Sequence, residues 1–423
     1  MRLLRKLIFC LLAVTAAVLA PPLFSEAGPH DKILLTWSPL ENVVTYEVEV
    51  ATVPVSDNRA PAPARMVAYD TTQVAAPGIE IDRTLFDGGM IDHLYYRVRP
   101  LGLDKRPLGP FSEPRRLAEG TMNPARPYTT ANYYGRPVLL YPAYSWIPVL
   151  GASRYKVEVL NRQPDNPSAS AAASSIVNTY MVEGWNQFDC YDFYPYVDAG
   201  TYYWRVLALD DSNNPVGSYS VPVPFTVSSG PYRFAALGDS ITHGGGAVSS
   251  PPSDRRYDYT SYLPFPVKNL GKSGDTIDTT VERFDHDVLP FKPKYLFILA
   301  GSNSLRGGEP AENIIAGLET LNEKCRANDI VPIFLTLPPV NPDQISVVFG
   351  EETADGWQER QAEVNAFIRK QNYVVDIAPL LTDEHGLLPV QYATDGLHYD
   401  IPGKKIIARE ILRYTYKIGL VRQ

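Results

Sequence analysis

Two stretches about a hundred residues apart share one pattern, and it constrains the fold of the first half of the chain more than any other feature. "LTWSPLENVVTYEVEV" ends at Val50 and "YSWIPVLGASRYKVEV" ends at Val159. Trp37 matches Trp146, and Tyr46 matches Tyr155. Further on, "LYYRVRPLG" from Leu94 pairs with "YYWRVLALD" from Tyr202. Within each copy apolar and polar residues alternate: Tyr46, Val48 and Val50 face one way, Glu47 and Glu49 the other. Tyr155, Val157 and Val159 repeat this against Lys156 and Glu158. A period of two marks half-buried strands, and the Gly, Pro, Asn and Asp between them mark turns. Each copy spans about a hundred residues of short strands, the size of a β-sandwich. Trp37 and Trp146 are then expected to be core residues rather than platforms for a sugar.

The Trp-then-Tyr-x-Val-x-Val pattern resembles fibronectin type III domains over roughly residues 30–120 and 130–228. "AEGTMNPARPYTTANYYGRP" reads as the connection between the copies, and "VSSGP" at Val227–Pro231 as a second linker. The full chain has 423 residues, too many for one core. From Pro231 the pattern changes. Candidate strands at Tyr232–Leu237, Val267–Leu270, Tyr295–Leu299, Ile330–Leu337 and Tyr373–Ile377 alternate with segments of helical spacing. These are "AENIIAGLETLNEKCRAND", "WQERQAEVNAFIRKQ" and "IPGKKIIAREILRYTYKI", the last with Asp400 as the expected N-cap and Pro402 in its first turn. Alternation of this kind predicts a parallel sheet covered on both faces. The expected division is a leader at 1–27, sandwiches at 28–120 and 121–229, and an α/β domain at 230–423.

The leader is read from Arg2, Arg5 and Lys6, the apolar run Leu7–Ala20, and Ser25 and Ala27 before a cut after Ala27. The competing reading is a retained anchor, for which the run is short. Cys10 lies too early for a lipid-modified N-terminus, and no later stretch is long and apolar enough to span a bilayer. Export places the protein in a periplasm, on a surface or in the medium. Cleavage leaves Cys190 and Cys325, in different expected domains, so disulfides are not the framework. A net charge of −8 gives no reason to expect a nucleic-acid partner.

Parallel sheets bind ligands at the carboxyl ends of their strands. There this chain places groups that suit one chemistry. An uncharged hydroxyl needs a base, a group that orients the base, and donors for an oxyanion. Ser240 follows the first strand in "FAALGDSITHGGG". "NLGKSGDT" follows the second, with backbone N–H groups around Gly274. "AGSNSLRGG" follows the third, with the amide of Asn303, and "DGLH" precedes the last helix with Asp395 and His398. Ser240 could instead cap a helix, and His398 could lie free on the surface. His398 is preferred to His385 as the base because Asp395 stands three residues before it. His286 lies amid charge and is read as solvated or structural, and Asp239 as bonding local backbone.

Taken in order, Gly-Asp-Ser-Ile, the Gly of Ser-Gly-Asp-Thr, the Asn of Gly-Ser-Asn, and Asp-x-x-His resemble the four blocks of the SGNH, or GDSL, hydrolases over residues 231–423. The resemblance implies a three-layer α/β fold of flavodoxin-like order, with the two immunoglobulin-like or fibronectin-like sandwiches ahead of it. It implies that Ser240 attacks an ester carbonyl, His398 carries the proton and Asp395 fixes its tautomer. The N–H groups of Ser240 and Gly274 and the amide of Asn303 would hold the oxyanion. No metal or organic cofactor is required. Ser304 stands where many members have Asp, which bears on how the third loop is braced. His243 and Arg306 are candidate substrate contacts. The expected function is exported serine ester hydrolysis, with O-deacetylation of a polysaccharide or glycan first. A lipid esterase of the lysophospholipase or thioesterase kind is the alternative enzyme, the loop "LPPVNPDQISVVFG" showing no long apolar run. Acyl transfer is open, and a surface binding protein with an inert hydrolase domain is the alternative from another class.

Overall fold

The alternation at Tyr46–Val50 and Tyr155–Val159 becomes strands over Thr45–Ala51 and Arg154–Leu160. The computed structural model describes residues 31–122, 126–130, 139–246 and 250–422. The expected leader, with its cleavage site, lies outside the described residues, as does much of the connection between the copies.

In the first copy Thr45–Ala51 runs antiparallel between Val67–Val74 and Tyr95–Leu101, while Lys32–Thr36 pairs with Gly78–Asp82 in a second sheet. In the second copy Arg154–Leu160 lies between Ile176–Glu183 and Gly200–Leu209, and Ala143–Ser145 pairs with Asp189–Tyr191. Each core draws on both of its sheets: Ile33 and Ile81 meet Val48 and Val98, and Tyr144 and Cys190 meet Val157 and Trp204. The repeat is faithful in detail. Tyr46 stacks edge-on against Trp37 with ring centroids 5.2 Å apart and accepts the Leu40 N–H at 3.0 Å. Tyr155 lies 5.1 Å from Trp146 and accepts the Val149 N–H at 2.9 Å. Trp146 is buried and Trp37 packs against its core, as expected of both. Cys190 and Cys325 are both free. This region is β-rich, with several antiparallel sheets.

One expectation fails. The charged row of each central strand does not face water: Glu49 and Glu158 are buried. Arg97 Nε donates to Glu49 at 2.8 Å and Arg205 Nη2 to Glu158 at 2.7 Å. Phe111 and Tyr219 lie against these guanidinium groups at 4.0 and 3.7 Å. The reason is a loop in each copy that covers the row and offers it carbonyls, Ala60 O to Arg97 and Pro167 O to Arg205. A period of two cannot report a loop that folds back. Arg97→Leu strands Glu49 in the interior and is expected to cost about 3 kcal/mol in denaturant unfolding. The double variant with Glu49→Leu recovers most of that loss, and equal losses in both would sink the pairing.

The described residues divide into two compact units, one of Pro231–His243 with Tyr259–Gln423, the other of the chain up to Gly230 with Gly244–Asp258. Within the latter, Asn42 N donates to Tyr257 Oη at 2.9 Å, and the Ser145 and Ser253 hydroxyls meet at 3.0 Å.

The unit from Pro231 is built on five parallel strands: β1 Phe234–Gly238, β2 Val267–Gly271, β3 Tyr295–Leu299, β4 Val331–Leu335 and β5 Val374–Val375. Their order is 2-1-3-4-5, the flavodoxin-like order, with β1 at the point where the winding reverses. The helices are α1 Ser240–His243, α2 Ile277–Glu282, α3 Phe284–Asp287, α4 Ser302–Arg306, α5 Ala311–Ala327, α6 Pro342–Phe349, α7 Trp357–Ile368 and α8 Ile401–Lys417. Two readings change. The stretch read as the loop "LPPVNPDQISVVFG" contains α6, capped by Asn341, whose side chain accepts the Gln344 N–H. Asp400 stands at the N-cap of α8 but does not cap it; its carboxylate accepts from Thr394 N and Oγ1 at 2.9 and 2.6 Å.

Candidate active site

β1 is buried along its length and ends at Gly238, so the chain emerges at the sheet edge as Asp239–Ser240 and turns at once into α1. The turn is held by Asp239, whose Oδ1 accepts the Ile241 N–H at 3.0 Å and whose carbonyl accepts from Thr242 and His243. Burial pushes the Asp239 carboxyl up to about 6. Gly271, at the end of β2, lets α1 approach: a Cβ there would lie 2.1 Å from His243 N.

Ser240 Oγ lies 3.0 Å from His398 Nε2, across 158 residues of sequence. His398 Nδ1 lies 2.9 Å from Asp395 Oδ2. A carboxylate only accepts, so Nδ1 carries the proton and Nε2 presents a lone pair to the hydroxyl. Asp395 is 1% exposed, and its other oxygen accepts the N–H groups of Leu397 and His398 at 2.8 and 2.7 Å. The Phe349 ring stands edge-on to the imidazole, with centroids 5.9 Å apart.

The loops after β2 and β3 meet beside this chain. Gly274 has φ +86°, a conformation that L side chains rarely adopt. Asn303, in the first turn of α4, donates through Nδ2 to Asp275 O at 2.9 Å, which leaves its second amide hydrogen uncommitted by that bond. Ser304 Oγ accepts the Ile277 N–H at 3.0 Å, so the residue that departs from the usual Asp braces the start of α2.

His243 is buried, with Nδ1 2.8 Å from Ser273 Oγ, and so ties α1 to the loop that carries Gly274. Arg306 Nη1 pairs with Glu351 Oε2 at 2.7 Å. His286 pairs with Asp287, and His385 is exposed beside Glu384. Sequence reasoning passed over three groups around the turn that carries Ser240: Asp275, Arg283 and Lys404. Asp275 lies inside a quoted motif, and the other two carry no motif. Among the described residues no group of His, Cys, Asp and Glu is placed to hold a metal, and no helix is long and apolar enough to cross a membrane.

Residues 236–406 match the GDSL-like Lipase/Acylhydrolase family model. A curated relative, "Uncharacterized lipoprotein YqeF" of Bacillus subtilis, is 36% identical over 80 residues, 18% of this chain. The match spans only 33% of that protein. Among solved structures, a putative lipolytic protein of the G-D-S-L family from Desulfitobacterium hafniense is 22% identical with a TM-score of 0.35, covering 43% of this chain and 98% of its own. The lipase/acylhydrolase from Enterococcus faecalis is 21% identical with a TM-score of 0.36, covering 44% and 96%. A catalytic mutant of Axe2, an acetylxylan esterase from Geobacillus stearothermophilus, is 19% identical with a TM-score of 0.33, covering 44% and 95%. The C-terminal part of this chain thus matches the GDSL-like lipase/acylhydrolase family and carries a parallel sheet in the order given above.

Proposed function

We propose that the protein is an exported serine esterase whose nucleophile is Ser240. The observation that carries this reading is the hydrogen-bonded chain from Ser240 Oγ through His398 to Asp395. In the proposed mechanism Ser240 Oγ attacks the ester carbonyl as its proton passes to His398 Nε2. The N–H groups of Ser240 and Gly274 and the free amide hydrogen of Asn303 receive the oxyanion. Collapse expels the alcohol, which takes the proton from His398, and leaves an acyl-enzyme. Water then repeats the sequence in reverse. Asp395 holds the tautomer and stabilises the imidazolium.

The substrate of this reading is an acetyl ester on a polysaccharide or other glycan. Its support is the β-rich region ahead of the hydrolase domain, read as two fibronectin type III-like modules at 28–120 and 121–229 that keep the enzyme near a polymer. Support for export is the basic start and apolar run at the N-terminus, together with the curated relative's name as a lipoprotein. One observation favours lipid esters instead: α6 exposes Val347 and sets Phe349 beside His398.

The experiment is hydrolysis of p-nitrophenyl esters of increasing acyl length, with acetate release from acetylated xylan, by the wild type and Ser240→Ala. Acetyl preference with release from xylan is expected. Preference for long chains moves the reading to lipids, and no turnover by a folded chain that resists serine-directed phosphonates overturns it. Asn303→Ala is expected to lower kcat by about 10²- to 10³-fold with little change in KM, because it removes a donor that acts on the oxyanion. A rise in KM alone would assign Asn303 to substrate binding.

A further inference from the structure

Arg283 stands at the joint between α2 and α3 with its side chain 9% exposed. Its guanidinium gathers the ends of two strands. Nη2 donates to Gly238 O, the last carbonyl of β1, at 2.9 Å. Nη1 donates to Leu270 O in β2 at 2.8 Å and to Asp287 Oδ2 at 2.9 Å, and Nε pairs with Asp275 Oδ2. Gly238 is two residues before Ser240, Asp275 directly follows Gly274, and Asp275 O accepts from Asn303. Each of the three donors assigned to the oxyanion is therefore within two residues, or one hydrogen bond, of a residue that Arg283 holds. Lys404 of α8 acts from the other side: it is buried, and its Nζ donates to Ile241 O at 2.9 Å. Ser240 thus lies between two carbonyls, Gly238 and Ile241, the first bound by the largely covered Arg283 and the second by the buried Lys404.

We infer that Arg283, seconded by Lys404, is a positioning residue that holds the nucleophile turn and the oxyanion donors in mutual register. The inference rests on the reading of Ser240 as nucleophile. A guanidinium that served only to neutralise Asp275 and Asp287 would need neither strand carbonyl. The fork directs bonds at three separate backbone and side-chain segments, which an ammonium cannot reproduce. Oxyanion donors act only if they meet the position that the charge will occupy, and a displacement of about 1 Å costs about 100-fold in rate.

The test uses Arg283→Lys, Arg283→Gln and Lys404→Met in the full chain, with active sites counted by phosphonate labelling. Both Arg283 variants are expected to lose about 100-fold in kcat with KM changed by less than about twofold. Affinity for a boronic acid that mimics the tetrahedral intermediate should fall in parallel, and Lys404→Met should lose about tenfold in kcat. Amide exchange should speed up over 238–243 and 270–276 in Arg283→Lys while 331–335 stays as in the wild type. A folded Arg283→Lys with wild-type kcat overturns the inference, as does unchanged exchange in both segments. If the wild type turns over no ester, that failure belongs to the reading of function, and the exchange result alone then supports or overturns the positioning role.

Discussion

Ser240→Ala and His398→Ala are each expected to lower kcat for p-nitrophenyl acetate by about 10⁵- to 10⁶-fold, and the double variant by no more than either alone. This follows from the proposed mechanism. The hydroxyl is a nucleophile only while Nε2, 3.0 Å away, can take its proton. In acylation the imidazole handles only the proton that this hydroxyl gives up, taking it and then passing it to the leaving alcohol. Removing either removes the one step they share, so the losses cannot multiply. Asp395→Asn should cost less, about 10⁴-fold, because the base survives but is no longer held to the tautomer with Nδ1 protonated. Residual rate over water should persist in all of these variants, since the N–H groups of Ser240 and Gly274 and the Asn303 amide are left in place. The measurement is kcat per folded chain, with labelling by a serine-directed phosphonate as the control. Losses that multiply in the double variant would mean that Ser240 and His398 act independently.

Much of this site is legible in the amino-acid sequence, and the reason is the sheet. β1 and β3 leave runs of apolar residues that stop at Gly-Asp-Ser and Gly-Ser-Asn, so order along the chain becomes order along one edge. Asp395 and His398 are legible from spacing, since a carboxylate three residues before an imidazole can fold back on Nδ1. Other features leave no such trace. Lys404 and Lys405 are adjacent and chemically alike, yet Lys404 is buried and Lys405 exposed; only the packing of α8 separates them. Arg283 follows a short helix, and nothing around it announces that three segments converge there. β5 proves to be two residues, because hydrophobic runs report burial more reliably than pairing. Glu49 and Glu158 mislead for a related reason: alternation reports the two faces of a strand, while the loop that buries the second face is far from both in pattern.

Burial of two opposite charges in the hydrolase unit predicts a pH profile of stability with a minimum. Lys268 of β2 is 1% exposed, with its ammonium 4.6 Å from the Phe291 ring. Burial pulls its pKa from 10.5 down to about 7. Between those values the unfolded chain holds a proton that the folded chain has lost, so stability rises with pH across that window. The full rise corresponds to about 5 kcal/mol, from a gap of about 3.5 pH units at about 1.36 kcal/mol each. Asp239 works in the opposite sense: its carboxyl is raised from 3.8 to about 6, so the folded chain holds the extra proton there. Stability falls by about 3 kcal/mol as pH climbs through that lower window. The hydrolase unit should therefore be least stable near pH 6–7, between the two. The buried Cys325 thiol, raised from 9.0 to about 12, trims the rise from about pH 9, and buried tyrosine phenols oppose it once unfolded phenols ionise near pH 10, so the upper limb is best read below about pH 9.5. Calorimetric unfolding across pH 4–9.5 should show both limbs in the transition that Lys268→Met shifts. Lys268→Met should remove the rising limb alone. Asp239→Asn, which keeps an acceptor for the Ile241 N–H, should shrink the falling limb and leave the rising one, with Asp275, whose carboxyl burial also raises, supplying what remains of the fall. A wild type whose stability is flat from pH 7 to 9.5 would mean that the Lys268 ammonium stays charged in the folded chain.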